Sequence, residues 1–134
     1  MNSYLEKLIR ILASITLAVI TTGCASYRIV KLGNIDKSQK TITVPTIGFS
    51  MTELKLALIS NGWKLKTSNV TRYRMTVQED IRMSEWVLKT YISIVDNKTN
   101  EEVLSIVGDS NGAGGVSPTT TANKLMAAIE EIER

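Results

Sequence analysis

A single cysteine carries the most reactive side chain of this sequence, and its position is more informative than any other feature. Cys24 is the only cysteine in 134 residues and directly follows Gly23. Two cations, Lys7 and Arg10, come first, and an apolar run over residues 11–20 separates them from the cysteine. A charged start, an apolar middle and small residues before a cleavage point are typical of a secretory signal. The apolar run is about half of the ~20 residues that cross a bilayer as a helix, which disfavours a permanent membrane span.

The stretch Ile20-Thr21-Thr22-Gly23-Cys24 resembles the lipobox of bacterial lipoproteins. The resemblance implies that residues 1–23 are a signal peptide and that Cys24 becomes the lipidated first residue, carrying palmitate or a related acyl chain. Stable anchoring needs at least two acyl chains, and a triacylated cysteine supplies them. The resemblance also implies sorting to the outer membrane, because Ala25 and not an aspartate follows the cysteine. The alternatives are an ordinary buried cysteine and a free thiol at a cleaved terminus.

Composition excludes several kinds of catalytic and metal site. Histidine is absent, and lipidation would consume the thiol of Cys24. His/Cys zinc sites, Cys-His dyads and Ser-His-Asp triads are therefore excluded, whereas catalysis by carboxylates or lysines stays open. Removal of the signal leaves 111 of the 134 residues and a net charge near +2, which calls for no nucleic-acid partner. We expect one small domain with no enzymatic activity, no metal and no cofactor.

Other polar residues have plainer interpretations. The glycine-rich residues 108–115 lack the Gly-Lys-Ser/Thr ending of a phosphate-binding loop, so a flexible connector is expected. Residues 78–84 are predicted to form a solvated acidic loop, although Glu79, Asp80 and Glu85 could serve as an acid pair.

Basic residues alternate with apolar ones along the predicted strands. The alternation is expected to place five cations on the sheet face away from the helices: Lys64, Lys66, Arg72, Arg74 and Lys89. Such a face could contact anionic lipid headgroups, lipopolysaccharide phosphates or an acidic protein. The alternative is the solvated open face of a half-buried sheet.

Hydrophobic periodicity predicts the elements that position these residues. Strands are expected over residues 41–44, 63–67, 72–77, 86–94 and 103–107, with one helix over residues 50–61 and another from Ser117 and Pro118 onward. Ser50 and Glu53 have the spacing of a capping box at the start of the first helix. The helices are expected to cover one face of the sheet: Trp63, Tyr73, Met75, Trp86, Ile92 and Ile94.

The order β-α-β-β-β-β-α predicts an α+β two-layer sandwich, with about five antiparallel strands and two helices on one face. The expected organisation is a signal peptide over residues 1–23, a lipidated N-terminus and tether over 24–40, and a periplasmic domain over 41–134. An edge strand around residues 27–32 is the alternative to the tether.

The end of the first helix, Asn61-Gly62-Trp63, and the hairpin Asp96-Asn97-Lys98-Thr99 resemble small bacterial lipoproteins of unknown function, of the DUF4136 and Sbal types. The likeness extends over residues 41–132 and includes the closing helix. It implies this fold and an envelope role, and it brings no catalytic residues. We expect a lipid-anchored outer-membrane protein, facing the periplasm, that binds another envelope component or assists assembly. The alternatives are a small-ligand or lipid-binding module and, less favoured, an enzyme acting on peptidoglycan.

Overall fold

A computed structural model describes residues 25–67, 70–82, 86–110 and 114–134. The predicted signal peptide over residues 1–23, Cys24, Glu85 and the side chain of Trp86 lie outside the described residues. Six strands and two helices follow one another along the chain: β1 (Ser26–Lys31), β2 (Thr41–Thr43), α1 (Met51–Ser60), β3 (Lys64–Lys66), β4 (Tyr73–Arg82), β5 (Trp86–Asp96), β6 (Glu101–Asp109) and α2 (Pro118–Ile132).

One sheet with the strand order β1-β6-β5-β4-β2-β3 carries both helices on one face, which confirms the α+β two-layer fold. The prediction of about five antiparallel strands was wrong in two details. The sheet has six strands, and β2 pairs in parallel with both β3 and β4. The parallel pairing of β2 and β3 follows from their connection through α1, because a crossover helix returns the chain in the same direction.

The predicted tether is part of the domain, so the edge-strand alternative describes this segment correctly. β1 pairs with β6 along its whole length, from Ser26 opposite Asp109 to Lys31 opposite Leu104. Beyond β1, Ile35 is fully buried, and its amide donates to the carbonyl of Ile132 over 2.9 Å. These residues join the fold because apolar side chains alternate with polar ones along β1, as an edge strand over a core requires.

The core fills the space between the two layers. α1 contributes Leu54 and Leu58, and α2 contributes Leu125 and Ile129, all fully buried. They pack on a sheet face that includes these buried residues: Ile42, Trp63, Tyr73, Met75, Ile92, Ile94, Leu104 and Ile106. The predicted helix-covered face is thus confirmed wherever its side chains are described.

The start of α1 is capped by a distant strand and not by the predicted capping box. Ser50 has a helical backbone conformation, and its side chain accepts no capping bond. The carboxylate of Glu79 in β4 accepts from the amides of Phe49 over 2.7 Å and Ser50 over 3.0 Å. Residues 78–82 belong to β4, so the prediction of an acidic loop there was wrong. At the start of α2, by contrast, the Ser117 side chain accepts from the Thr120 amide, as the sequence predicts.

Candidate binding surface

The open face of the sheet, away from the helices, holds the predicted cations. Lys66 in β3, Thr43 in β2 and Arg74 in β4 occupy one register row, and Lys64 lies at the other end of β3. The core residues Leu65, Ile42 and Tyr73 form the adjacent row. Because successive side chains of a strand point to opposite faces, Lys64, Lys66 and Arg74 share the open face.

Arg72 is engaged in a structural ion pair. Its Nε and Nη2 donate to the two carboxylate oxygens of Asp96 over 3.0 and 2.8 Å, a bidentate arrangement. A third donor, Nη1, reaches the side-chain oxygen of Gln39 over 3.0 Å, and the guanidinium lies 5.4 Å from the ring centroid of Tyr73. The side chains of Arg72 and Asp96 are only 18% and 7% exposed. Arg72 therefore fixes the start of β4 and has little charge left for a partner.

Each partner of this ion pair shifts the protonation of the other. The hydrogen bonds from Arg72 lower the pKa of Asp96 below its ordinary value, against the opposing effect of burial. The same bonds raise the pKa of Arg72. Both groups consequently stay charged across the neutral range, and the pair acts as a fixed link between β4 and the end of β5.

Lys89 lies at the opposite end of the strands, between two acids. It is opposite Asp80 of β4 and Asp109 of β6, and its Nζ is 4.0 Å from an Asp109 carboxylate oxygen. Because the side chains of Lys89 and Asp109 are more than half exposed, this pair adds little stability. It does offset the positive charge, so the structure separates Lys89 from the other cations of the predicted patch.

Arg74, Lys64 and Lys66 have neutral or solvent surroundings in the described structure. Arg74 donates to the side-chain oxygens of Asn97 and Asn100 over 2.6 and 2.8 Å, and both acceptors are neutral amides. Lys64 and Lys66 are exposed. Among the described residues, no carboxylate forms an ion pair with any of these three cations. We call Lys64, Lys66 and Arg74 the cation row.

A polar cluster that the sequence did not predict lies beside the cation row on the same face. Glu102 of β6 accepts from the Tyr91 hydroxyl over 2.9 Å and also from Ser93. The bond to Glu102 raises the pKa of Tyr91. These neutral donors leave the negative charge of Glu102 in place, but within the described ranges this carboxylate forms no ion pair with the cation row. Tyr91 and Ser93 both alternate onto the open face, which is the one signal in the sequence that brings them together.

Other kinds of site have less support in the described residues. No group of three or more histidine, cysteine, aspartate or glutamate residues there could hold a metal ion. Within the same ranges, no helix has the length and apolar character needed to cross a membrane. A cavity of about 280 Å³ opens at the surface beside Phe49, Val87 and Pro118.

Comparisons with known proteins identify the fold alone. No family model matches the chain, and no curated protein matches it either. Among solved structures, the PelC dodecamer from Paraburkholderia phytofirmans is similar over 83% of this chain and 100% of that chain, with 14% identity and a TM-score of 0.51. A substituted form of the same PelC dodecamer has 13% identity, the same coverage and a TM-score of 0.50.

A PDZ domain protein from Parabacteroides distasonis is similar over 87% of this chain and 38% of its own length, with 9% identity and a TM-score of 0.51. At these identities the likeness concerns the arrangement of strands and helices. The chain therefore has the fold that these solved structures contain.

Proposed function

We propose that this chain is a lipid-anchored bacterial envelope protein whose small domain binds an anionic envelope component and has no enzymatic activity. The observation that carries the proposal is the cation row, three positive side chains on one open face with no carboxylate partner in the described part of the chain. Exposed charges of one sign raise the local concentration of an oppositely charged partner and speed its association. The resemblance to DUF4136-type lipoproteins remains a prediction and is consistent with this role.

Two features favour binding at a surface over binding in an enclosed pocket. Fully buried side chains such as Leu54, Leu125 and Ile92 fill the space between helices and sheet, where a small-ligand module would need a cavity. The polar side chains of the open face, by contrast, are arranged over the breadth of the sheet. A phosphate-bearing lipid or polysaccharide, or an acidic protein surface, fits an extended basic row better than a small neutral ligand does.

The anchor itself is supported by the sequence around Cys24 and by the start of the fold. β1 begins at Ser26, two residues after the cysteine. A lipid at Cys24 would hold the folded domain close to the bilayer without any tether. We infer the outer membrane and its periplasmic side from the same sequence pattern, and palmitate or related acyl chains as the modification.

Charge reversal tests the binding surface. Lys66→Glu should leave the melting temperature within the range of ordinary surface substitutions, because Lys66 is exposed and no carboxylate in the described part of the chain pairs with it. It should reduce the yield of the partner captured by formaldehyde cross-linking in intact envelopes, and that yield should fall as salt rises, because salt screens exposed charges over ~8 Å at physiological ionic strength.

Lys124→Glu is the matched control for this reversal. Lys124 is an exposed cation of α2, on the helical layer, so its reversal changes the net charge equally. Equal capture by the two variants would contradict a role for the cation row. An unfolded Lys66→Glu protein would show instead that the residue is structural.

Self-assembly is a second candidate, supported by the description of PelC as a dodecamer. β1 and β3 form the two edges of the sheet, and each leaves backbone donors and acceptors on its outer side. β3 has only three residues, and its first and last are lysines, so it is a poor template for pairing. The six-residue β1 is a better template. Light scattering of the detergent-solubilised protein at several concentrations tests this candidate, and a strictly monomeric mass would exclude it.

A further inference from the structure

We infer that the end of the domain where β1 begins is a membrane-contact surface, with Ile47, Phe49 and Ile81 entering the interfacial region of the bilayer. The inference rests on the proposed lipidation of Cys24. It adds a second, protein-borne contact with the lipid and thereby an orientation of the domain. We call this part of the molecule the anchor end.

The covalent chain determines which end lies near the membrane. Only Ala25 separates Cys24 from the first residue of β1, Ser26. Two extended residues reach at most ~7 Å, so a lipidated Cys24 brings the start of β1 to the headgroup region. Ser26 at the start of β1 is opposite Asp109 at the end of β6. Asp109 is opposite Lys89 near the start of β5, and Lys89 is opposite Asp80 near the end of β4. The end of β4 therefore lies at the anchor end as well.

Both helices also begin at the anchor end. Glu79, near the end of β4, binds the amides that precede α1. The amide of Val116, two residues before α2, donates to the carbonyl of Val87 at the start of β5 over 2.7 Å. Residues 49–50, before α1, and residues 114–117, before α2, thus lie close together on the helix-covered face near these strand ends.

The loop before α1 and the end of β4 expose large apolar side chains here. Ile47 is 89% exposed, Phe49 43% and Ile81 42%. Phe49 and Val87 line the same cavity, and Ile81 is the register partner of Val87. Directly opposed residues share a sheet face, so Ile81 lies on the same side of the sheet as Phe49. Ile47 comes two residues before Phe49, whose amide donates to the Glu79 carboxylate over 2.7 Å.

The charges near the anchor end are mixed in sign, so the inference assigns the contact to apolar insertion. Among the described residues, the exposed cations there are Arg28, Arg82 and Lys89, and the exposed acids are Asp80 and Asp109. Aromatic and aliphatic side chains at the boundary between headgroups and acyl chains bind by burying apolar area. This contact should therefore persist on uncharged lipid and in high salt, unlike contact through the cation row.

Val70 supplies a matched control at the opposite end of the sheet. It is 83% exposed and precedes the start of β4, whose first residue Tyr73 is opposite Asp96 at the end of β5. The ten residues of β4 separate the two ends by about 30 Å, more than the depth of the headgroup region. With the anchor end at the bilayer, Val70 should remain in water.

A single environment-sensitive label tests the inference on the full-length, lipidated chain. Cys24 is the only native cysteine, and lipidation consumes its thiol, so Ile47→Cys and Val70→Cys each introduce the one reactive thiol. Each labelled protein is reconstituted into phosphatidylcholine vesicles that contain nitroxide-labelled lipid. We expect the label at position 47 to shift its emission to the blue and to be quenched several-fold more than the label at position 70. High salt should not change this difference.

The outcomes separate the inference from the proposed function. Palmitate incorporation into the same preparations reports the anchor independently of the label. Lipidated protein whose two labels are equally solvent-exposed overturns the membrane-contact surface and leaves the anchored function standing. Protein that incorporates no palmitate overturns both. Stronger quenching at position 70 than at position 47 would show that the domain lies with its opposite end towards the lipid.

Discussion

Replacement of Glu79 by alanine should destabilise the domain more than replacement of any residue of the predicted capping box. Glu79 accepts from two amides before α1, those of Phe49 and Ser50. A buried hydrogen bond to a charged group contributes about 1.5–3 kcal/mol to stability. Glu79 is half-exposed, so water can bind the two amides in Glu79→Ala, and each lost bond should cost about half of that. Two such bonds correspond to about 2 kcal/mol, at the upper end of measured capping effects.

The three comparison variants have different expected costs. Glu79→Gln keeps one side-chain oxygen and should lose about half as much stability as Glu79→Ala. Ser50→Ala should stay within about 0.5 kcal/mol of wild type, since the Ser50 hydroxyl is buried with no partner in the described residues. Glu53→Ala removes a side chain of the first turn that makes no capping bond, and it should be equally mild.

Urea unfolding followed by far-ultraviolet circular dichroism measures these differences. At about 4 °C per kcal/mol for a domain of this size, Glu79→Ala should also lower the melting temperature by about 8 °C. A large loss for Ser50→Ala or Glu53→Ala, with Glu79→Ala unchanged, would show that the local capping box operates and that the account of the α1 terminus is wrong.

Three further predictions concern the core and the fixed ion pair. Asp96→Asn should cost about 2 kcal/mol at neutral pH in urea unfolding. Because the pKa of Asp96 is lowered in the folded state, its carboxylate stabilises the fold at pH values above its ordinary pKa of 3.8. This stability is lost as the pH falls through the folded-state pKa, so Asp96→Asn should lose less stability than wild type below about pH 4. Gly108→Ala should cost about 1–3 kcal/mol, because the added methyl group would lie 2.9 Å from the Tyr27 ring, and an unchanged melting temperature would contradict that packing. Trp63→Ala should cost about 3–5 kcal/mol, because it leaves a cavity in the core. Trp63→Phe should cost less than half of that, since the indole N–H is buried without a partner in the described residues. Equal costs for the two variants would refute this packing.

Local patterns in the sequence predicted both helices, the strands from β2 to β6 and the covered face of the sheet. Alternation placed Tyr73 and Met75 on the helix-covered side, and the Ser117-Pro118 pair marked the start of α2 correctly. Alternation failed near the start of β5, where a register shift between Asp80 and Ile81 places Val87 on the buried face. A bulge inserts one residue and inverts the pattern beyond it, and nothing in the local composition announces it.

Contacts between distant segments account for the features that the sequence did not predict. Glu79 is 30 residues from Phe49, so its role as a cap of α1 depends on the strand order. β1 lies at the start of the described chain and β6 near its end, so their pairing is apparent only in the folded arrangement.

The same reasoning explains the candidate site. Alternation placed five cations on one face but could not show that Arg72 is bound to Asp96, 24 residues away, or that Lys89 lies between two acids. The separation of a structural arginine from the cation row required the folded arrangement.

Metabolic labelling with radioactive palmitate tests the central claim of a lipid anchor most directly. Wild-type protein should incorporate the label, Cys24→Ser should not, and globomycin should cause a longer precursor to accumulate, because signal removal follows lipidation at the cysteine. Equal labelling of wild type and Cys24→Ser, or no labelling of either, would contradict the anchor and with it the placement of this domain at the membrane.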